Sequence, residues 1–255
     1  MDQSRDTSTT APSLRHLQII EVVANAARPL TATEINTSLG LPKPTIHRLV
    51  AHLESEGYLS RYLDGRSYLP GPRLREMMLG VLRSGEHHLP RREVLMRLHE
   101  SIGETCNLSI PDGDAMIYVD RVETQWPLRI ALKVGSRVPL HATAAGKAAL
   151  AQMEAAEFAR YLGKARLTSH TPQTVTDPET LRREIEAIRE RGHATDCEEF
   201  IPGMIAIAVP VFDPGKRFCA TISFHAPLQR TTLEMGLTYL PALRHAADSL
   251  SDLVI

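Results

Sequence analysis

Lys43, Pro44, Thr45, His47 and Arg48 stand close together in the stretch Gly40-Leu-Pro-Lys-Pro-Thr-Ile-His-Arg-Leu49. They supply two permanent cations, an imidazole and a hydroxyl at the head of a run whose apolar residues, Ile46, Leu49, Val50 and Leu53, recur with helical period. A helix that only packs into a core has no use for donors on its first turn. A helix lying in the major groove of DNA offers its N-terminal residues to base edges, and there such donors read guanine and adenine acceptors. A second candidate group lies near the C-terminus. Thr221, Ser223 and His225 alternate with Ala220, Ile222 and Phe224, so a strand places three polar side chains on one face. Burying such a row is costly unless solvent or a ligand satisfies it.

The residues around the first group predict three short helices and a hairpin. Ser13 is placed to cap a helix with Leu14, Leu17, Ile20 and Val23 as its inward stripe. Thr31 and Glu34 have capping-box spacing, and the short helix after them stops at Leu39-Gly40. The run through Leu53 ends at Gly57, a residue suited to the left-handed conformation. Tyr58 to Leu63 and Arg66 to Leu69 then flank Asp64-Gly65, a strong hairpin signal. This order is that of a winged helix-turn-helix. Local charge agrees: Arg15, Arg28, Lys43, Arg48, Arg61, Arg66, Arg73 and Arg75 outnumber Glu21, Glu34, Glu54, Glu56 and Asp64. Arg61 and Arg66 fall on the hairpin, the wing, where phosphates would lie.

Beyond Gly71-Pro72, a linking helix is expected from Arg73 to about Ser84 through Leu74, Met77, Met78 and Val81. The rest mixes helices and strands. Cys106 to Ile110 and Ala115 to Arg121 flank Pro-Asp-Gly-Asp, and Ile205 to Phe212 and Phe218 to His225 flank Asp213-Pro-Gly-Lys216, giving two more hairpins. Leu128, Ile130 and Leu132 have the period of a half-buried strand. Helices are expected near Met96 to Ile102, Ala142 to Met153 and Leu181 to Ile188, with one closing helix from Leu233 to Leu253. Hairpins interleaved with helices predict an α+β domain, an antiparallel sheet backed by helices on one side.

Leu30-Thr-Ala-Thr-Glu-Ile35, Gly40 to Leu49, Glu56-Gly-Tyr58, Leu140-His-Ala-Thr-Ala-Ala-Gly-Lys-Ala148 and Ile205-Ala-Ile-Ala-Val-Pro-Val211 resemble, in order, the signatures of the IclR family of bacterial transcription regulators. The residue pattern thus divides the chain into a flexible tail over residues 1–12, a winged helix-turn-helix over 13–72, a linker helix over 73–89 and a last domain over 90–255, which the resemblance makes a GAF-like effector-binding domain. The resemblance also implies a homodimer or dimer of dimers that binds a palindromic double-stranded DNA operator and a small organic acid effector. Ser223, His225, Asp196 and the backbone N–H groups of Ala144 and Ala145 would converge on that effector, with Leu128, Ile130, Val138 and Met204 as apolar walls. Amides at a helix start suit a carboxylate, and a neutral or protonated His225 adds a donor. The sequence departs from the family's usual pattern at Pro44, where Ser is common, at Ala144 for Gly, at Ala206 for Cys and at His225 for Ser. The small residues Ala144 and Ala206 leave room for an aromatic acid.

Other chemistry finds little support. The 255 residues are 43% hydrophobic and 23% charged with a formal net charge of -1, so attraction to nucleic acid must come from a local patch. No run approaches the roughly 18 apolar residues of a membrane span, and the polar start MDQSRDTSTTAP does not read as a signal peptide. Cys106, Cys197 and Cys219 form no disulfide set or metal spacing; they suit a reducing cytoplasm and read as small buried hydrophobes. Gly146-Lys147 lacks the rest of a phosphate-binding loop, and His87 and His88 would point about 100° apart on a helix. No cofactor, catalytic triad or metal site is expected. The rival reading is an enzyme acting on a small acid through the C-terminal domain.

Overall fold

Ile35, Ile46, Leu49, Val50, Leu53 and Leu59 meet in one sealed cluster, and this cluster builds the N-terminal unit of the chain. The structure is a computed structural model that describes residues 14–26, 28–84, 88–127 and 132–253. The tail, the expected cap Ser13, and Leu128 and Ile130 lie outside the described residues. The chain divides into two units, Met1–Val81 and Leu82–Ile255.

In the first unit α1 (Arg15–Ala24) is followed by β1 (Leu30–Thr31), α2 (Ala32–Thr37), α3 (Lys43–Ser55), β2 (Leu59–Arg61) and β3 (Ser67–Pro70). The expected capping box forms: Thr31 Oγ1 accepts from the Glu34 N–H while the Glu34 carboxylate accepts from the Thr31 N–H. Gly40, Gly57 and Gly65 all take positive φ, at the two helix ends and in the wing turn. The strands order β1-β3-β2, so the wing pairs back onto the start of α2. The expected stripe of α1 holds in part: Val23 is buried and Ile20 packs half-buried on the cluster, but Leu14 and Leu17 are 48% and 53% exposed, and Ile19 is buried in their place. Three-residue steps drift around a helix, whereas a four-residue pair keeps nearly one face. The linking helix α4 (Pro72–Ser84) begins as expected, with Met77 and Val81 exposed.

The second unit runs α5 (His88–Ile102), β4 (Thr105–Asp112), β5 (Ala115–Val122), β6 (Arg137–Pro139), α6 (Ala144–Leu150), α7 (Ala155–Lys164), α8 (Pro178–Arg191), β7 (Ala194–Cys197), β8 (Met204–Phe212), β9 (Phe218–Pro227), α9 (Leu233–Leu237) and α10 (Leu240–Leu250). Its antiparallel sheet has the order β6-β5-β4-β9-β8-β7, which makes β9 a central strand. Helices cover both faces, not one. On one face α6, α7 and α8 pack over Met116, Tyr118, Ala194, Ala206 and Ala208. On the other, Gly236 of α9 sits against Ile205, Ile207 and Phe224, and Arg92 of α5 reaches Asp120. The single closing helix is two helices, because Pro241 opens α10 and lacks the N–H that would continue α9. The cysteine reading holds for Cys106 alone: Cys197 is exposed and Cys219 half-buried.

Candidate DNA interface and ligand face

α3 opens on Pro42, Lys43 and Pro44, and two prolines at a helix start remove N–H groups that would otherwise lack acceptors. The Thr45 and Ile46 N–H groups both bond the Pro42 carbonyl. The side chain of Asn36 braces the turn before it, donating to the Leu41 carbonyl at 2.8 Å and accepting from the Leu41 N–H at 2.9 Å. This fixes the angle between α2 and α3. With Ile46, Leu49, Val50 and Leu53 buried, Lys43, Pro44, His47 and Arg48 are exposed and Thr45 is half-exposed. All five expected residues therefore share the free side of the first two turns. His52, one turn on from Arg48, places Nδ1 3.3 Å from His16 Nε2, so α1 contributes an imidazole beside this surface.

The wing is built by Asp64. Its Oδ1 accepts from the N–H groups of Arg66 and Ser67 at 2.8 Å, and its Oδ2 accepts from Ser67 Oγ. Arg66 then projects exposed from the turn. Arg61 does not point away as a free cation: its Nε bonds Glu54 at 2.7 Å, its Nη1 bonds the Gly65 carbonyl, and its guanidinium lies 5.1 Å from the Tyr68 ring. Arg61 holds the wing to α3, and the two wing arginines differ in what they have left to offer a phosphate.

In the second unit the pairing register brings together residues far apart in sequence. Asp196 opposes Ala206, Ala206 opposes His225, and Ser223 stands between Ala208 and Asn107. Val138 and Met204 occupy the same face toward its two ends. α6 covers it, with Ala144 and Ala145 buried in its first turn and Thr143 Oγ1 accepting from the Gly146 N–H. A Cβ on Gly146 would sit 2.7 Å from the Leu140 carbonyl carbon, so glycine lets α6 pack this closely. Ser223 and His225 are buried on a central strand, which removes the possibility that they line a wet sheet edge.

The polar row is only partly satisfied within the protein. Thr221 Oγ1 pairs with Ser109 Oγ at 2.8 Å, so it leaves the candidate set. His225 Nδ1 lies 2.7 Å from Asn107 Nδ2. Ser223 Oγ and the Tyr118 hydroxyl are sealed from solvent without a hydrogen-bond partner. Burial, aided by the Arg121 charge, depresses the His225 pKa to about 3, so the protonated form expected as one option is not available near neutral pH. Asp196 moves the other way. Burial and the nearby Glu199 carboxylate raise it to about 7, although the Glu199 N–H bonds its Oδ1 at 2.8 Å. Lys147, buried in α6, bonds Glu199 Oε1 at 2.6 Å and stands 3.6 Å from Glu184 Oε1. Tyr118 and Asn107 carry no mark in the sequence pattern, and Lys147 stands out only in the incomplete phosphate-loop motif, not as a partner of Glu199. β5 is buried at every position and offers no alternation to read, and the other two depend on pairings across more than fifty residues.

The Asp196 shift has a measurable sign. Its folded pKa lies above the ordinary 3.8, so its contribution to stability is complete below about pH 4 and is lost as pH rises through about 7. Thermal melts across that window are expected to show wild-type stability falling toward neutral pH relative to Asp196→Asn, which has no such proton to lose. Parallel curves for the two proteins would remove Asp196 from the buried ionisable set.

Among the described residues no helix is long and apolar enough to cross a membrane. Residues 89–252 match the family described as bacterial transcriptional regulator IclR C-terminal, and residues 14–62 match the IclR helix-turn-helix domain. The probable transcriptional regulator SauR of Cupriavidus necator is 39% identical over 95% of this chain and 96% of its own length. The crystal structure of Thermotoga maritima IclR superimposes with a TM-score of 0.64 at 30% identity, covering 92% of this chain and 95% of that one. An IclR homolog from Microbacterium hydrocarbonoxydans, solved in complex with 4-hydroxybenzoate, gives a TM-score of 0.60 at 26% identity over 94% of this chain and 97% of that one. The chain belongs to the IclR family, and is a transcriptional regulator with an N-terminal helix-turn-helix DNA-binding domain and a C-terminal effector domain.

Proposed function

We propose that this regulator binds a palindromic operator as a homodimer or a dimer of dimers in the cytoplasm, and that a small organic acid in its C-terminal domain governs that binding. Lys43, Pro44, Thr45, His47 and Arg48 enter the major groove, and Arg66, with Arg61 behind it, approaches backbone phosphates. The observation that carries this reading is the two-sidedness of α3, whose apolar side is sealed while its cations and donors are bare. The free amide and ammonium of Lys43 sit where the helix dipole favours a phosphate.

The effector reading draws on Ser223, His225, Asp196 and the first-turn amides of Ala144 and Ala145, with Val138 and Met204 as walls. Small side chains at Ala144 and Ala206 leave room for a ring, and 4-hydroxybenzoate occupies the Microbacterium relative. The acid acts through unequal affinity for two states of the protein and is released unchanged. Thermal shifts with a panel of aliphatic and aromatic acids, followed by binding to the DNA upstream of the regulator's own gene, test both halves. Ser223→Ala is expected to leave the unliganded melting temperature unchanged or raised, because it removes a buried hydroxyl without a partner. The acid-induced shift should shrink in the same variant. Equal ligand shifts in both proteins would place the acid elsewhere, and turnover of the acid would support an enzyme instead.

A further inference from the structure

His225 takes its hydrogen-bond polarity from residues one and two strands away. Arg121 Nη1 donates to Asn107 Oδ1 at 2.8 Å, and a guanidinium has donors only. The amide oxygen of Asn107 must therefore face Arg121, which turns its Nδ2 toward His225. That Nδ2 lies 2.7 Å from His225 Nδ1, and an amide nitrogen can only donate. Nδ1 is thus an acceptor and carries no proton. A neutral imidazole in this arrangement holds its proton on Nε2. The opposite tautomer would set two donors against each other in a buried site.

The Tyr118 ring meets the His225 ring edge to face with centroids 6.2 Å apart. The Tyr118 hydroxyl and Ser223 Oγ, on the same sheet face, are both buried without a partner. We propose that Arg121 and Asn107 act as positioning residues that fix His225 as an Nε2–H donor, so that the effector must place an acceptor, a carboxylate or similar oxyanion, against it. A ligand bringing an ammonium to this point is rejected, because donor would meet donor. The proposal rests on the reading of this sheet face as the effector site.

The test uses the full-length protein labelled with nitrogen-15 in histidine, with His225 assigned by its loss in His225→Gln. In the wild type, nitrogen shifts are expected to report an unprotonated Nδ1 and a protonated Nε2 without ligand. Asn107→Asp offers only acceptor oxygens to both neighbours, so it should transfer the imidazole proton to Nδ1 or add a second one. Adding 4-hydroxybenzoate should move the wild-type Nε2–H resonance, and Asn107→Asp should bind it about tenfold or more weakly, the scale of one hydrogen bond to a charged group. Benzylamine, an ammonium of similar size, should leave that resonance unmoved. A protonated Nδ1 in the wild type overturns the relay, and this result does not depend on any variant folding. An inverted tautomer with undiminished 4-hydroxybenzoate affinity overturns its role in recognition. If neither 4-hydroxybenzoate, benzoate nor pyruvate shifts the melting temperature or His225, the effector reading falls and takes the recognition role with it, while the unliganded spectrum still decides the relay.

Discussion

Truncating both cations of α3, in the double variant Lys43→Ala/Arg48→Ala, weakens operator binding by about 30-fold to 10⁴-fold. A well-placed base contact contributes roughly 1–3 kcal/mol of discrimination, and two such side chains are removed. The salt dependence should change as well. Each lost phosphate-neutralising cation lowers the slope of log affinity against log salt by about one, so titrations at several salt concentrations separate phosphate contacts from base contacts. The fold survives, because both side chains are exposed and the helix is anchored by Ile46, Leu49, Val50 and Leu53. Fluorescence anisotropy with the operator, beside a melting curve, checks affinity and folding together. Unchanged affinity and slope would move the DNA to another surface.

Replacing Lys147 by Met destabilises the effector domain by about 3–5 kcal/mol, the usual cost of removing one partner from a buried ion pair. Lys147 is 2% exposed, and its bond to Glu199 joins α6 to the segment after β7. Without it the Glu199 carboxylate stays buried with one oxygen already unpartnered. Burial raises the Glu199 pKa even in the presence of the lysine, and the variant should raise it further. A carboxyl with a raised folded pKa contributes its stability at low pH and loses it as pH rises, so the deficit of Lys147→Met should narrow as pH falls through the further-raised Glu199 pKa of the variant. Adding Glu199→Gln should recover much of the loss, and urea unfolding of the four proteins closes the cycle. A pH-independent deficit with no recovery would mean that Lys147 acts only through packing.

The winged helix was legible because its signals are local. Capping boxes, glycines after helix ends and an Asp-Gly turn act within a few residues, and each of these formed as the sequence implied. The apolar period of α3 also fixed which residues were left bare. α1 shows the limit of the same reasoning, since Leu17 and Ile19 are equally apolar and only tertiary packing decides that Ile19 is buried. Arg61 was legible as a wing cation but not as a partner of Glu54, because that bond depends on how the wing folds back on α3.

The candidate ligand face was half legible as geometry. Alternation placed Ser223 and His225 on one side of a strand, yet it said nothing of Asn107 and Ala206, the neighbours chosen by strand order. Those neighbours decide the outcome: Ser109 takes Thr221 out of play, and Asn107 settles the state of His225. Helices on both sheet faces were also missed, because a hairpin pattern does not say which side each helix takes.

Methylation protection of guanine N7 on the regulator's own operator tests the central claim most directly, since N7 faces the major groove. Wild-type protein should protect guanines in two symmetric half-sites, separated by about one helical turn or a multiple of it. Arg48→Ala should lose protection at one guanine in each half-site and keep the rest. Guanine N7 left unprotected while adenine N3, the methylated atom of the minor groove, is protected, or identical patterns for the two proteins at equal occupancy, would contradict the placement of α3 in the major groove.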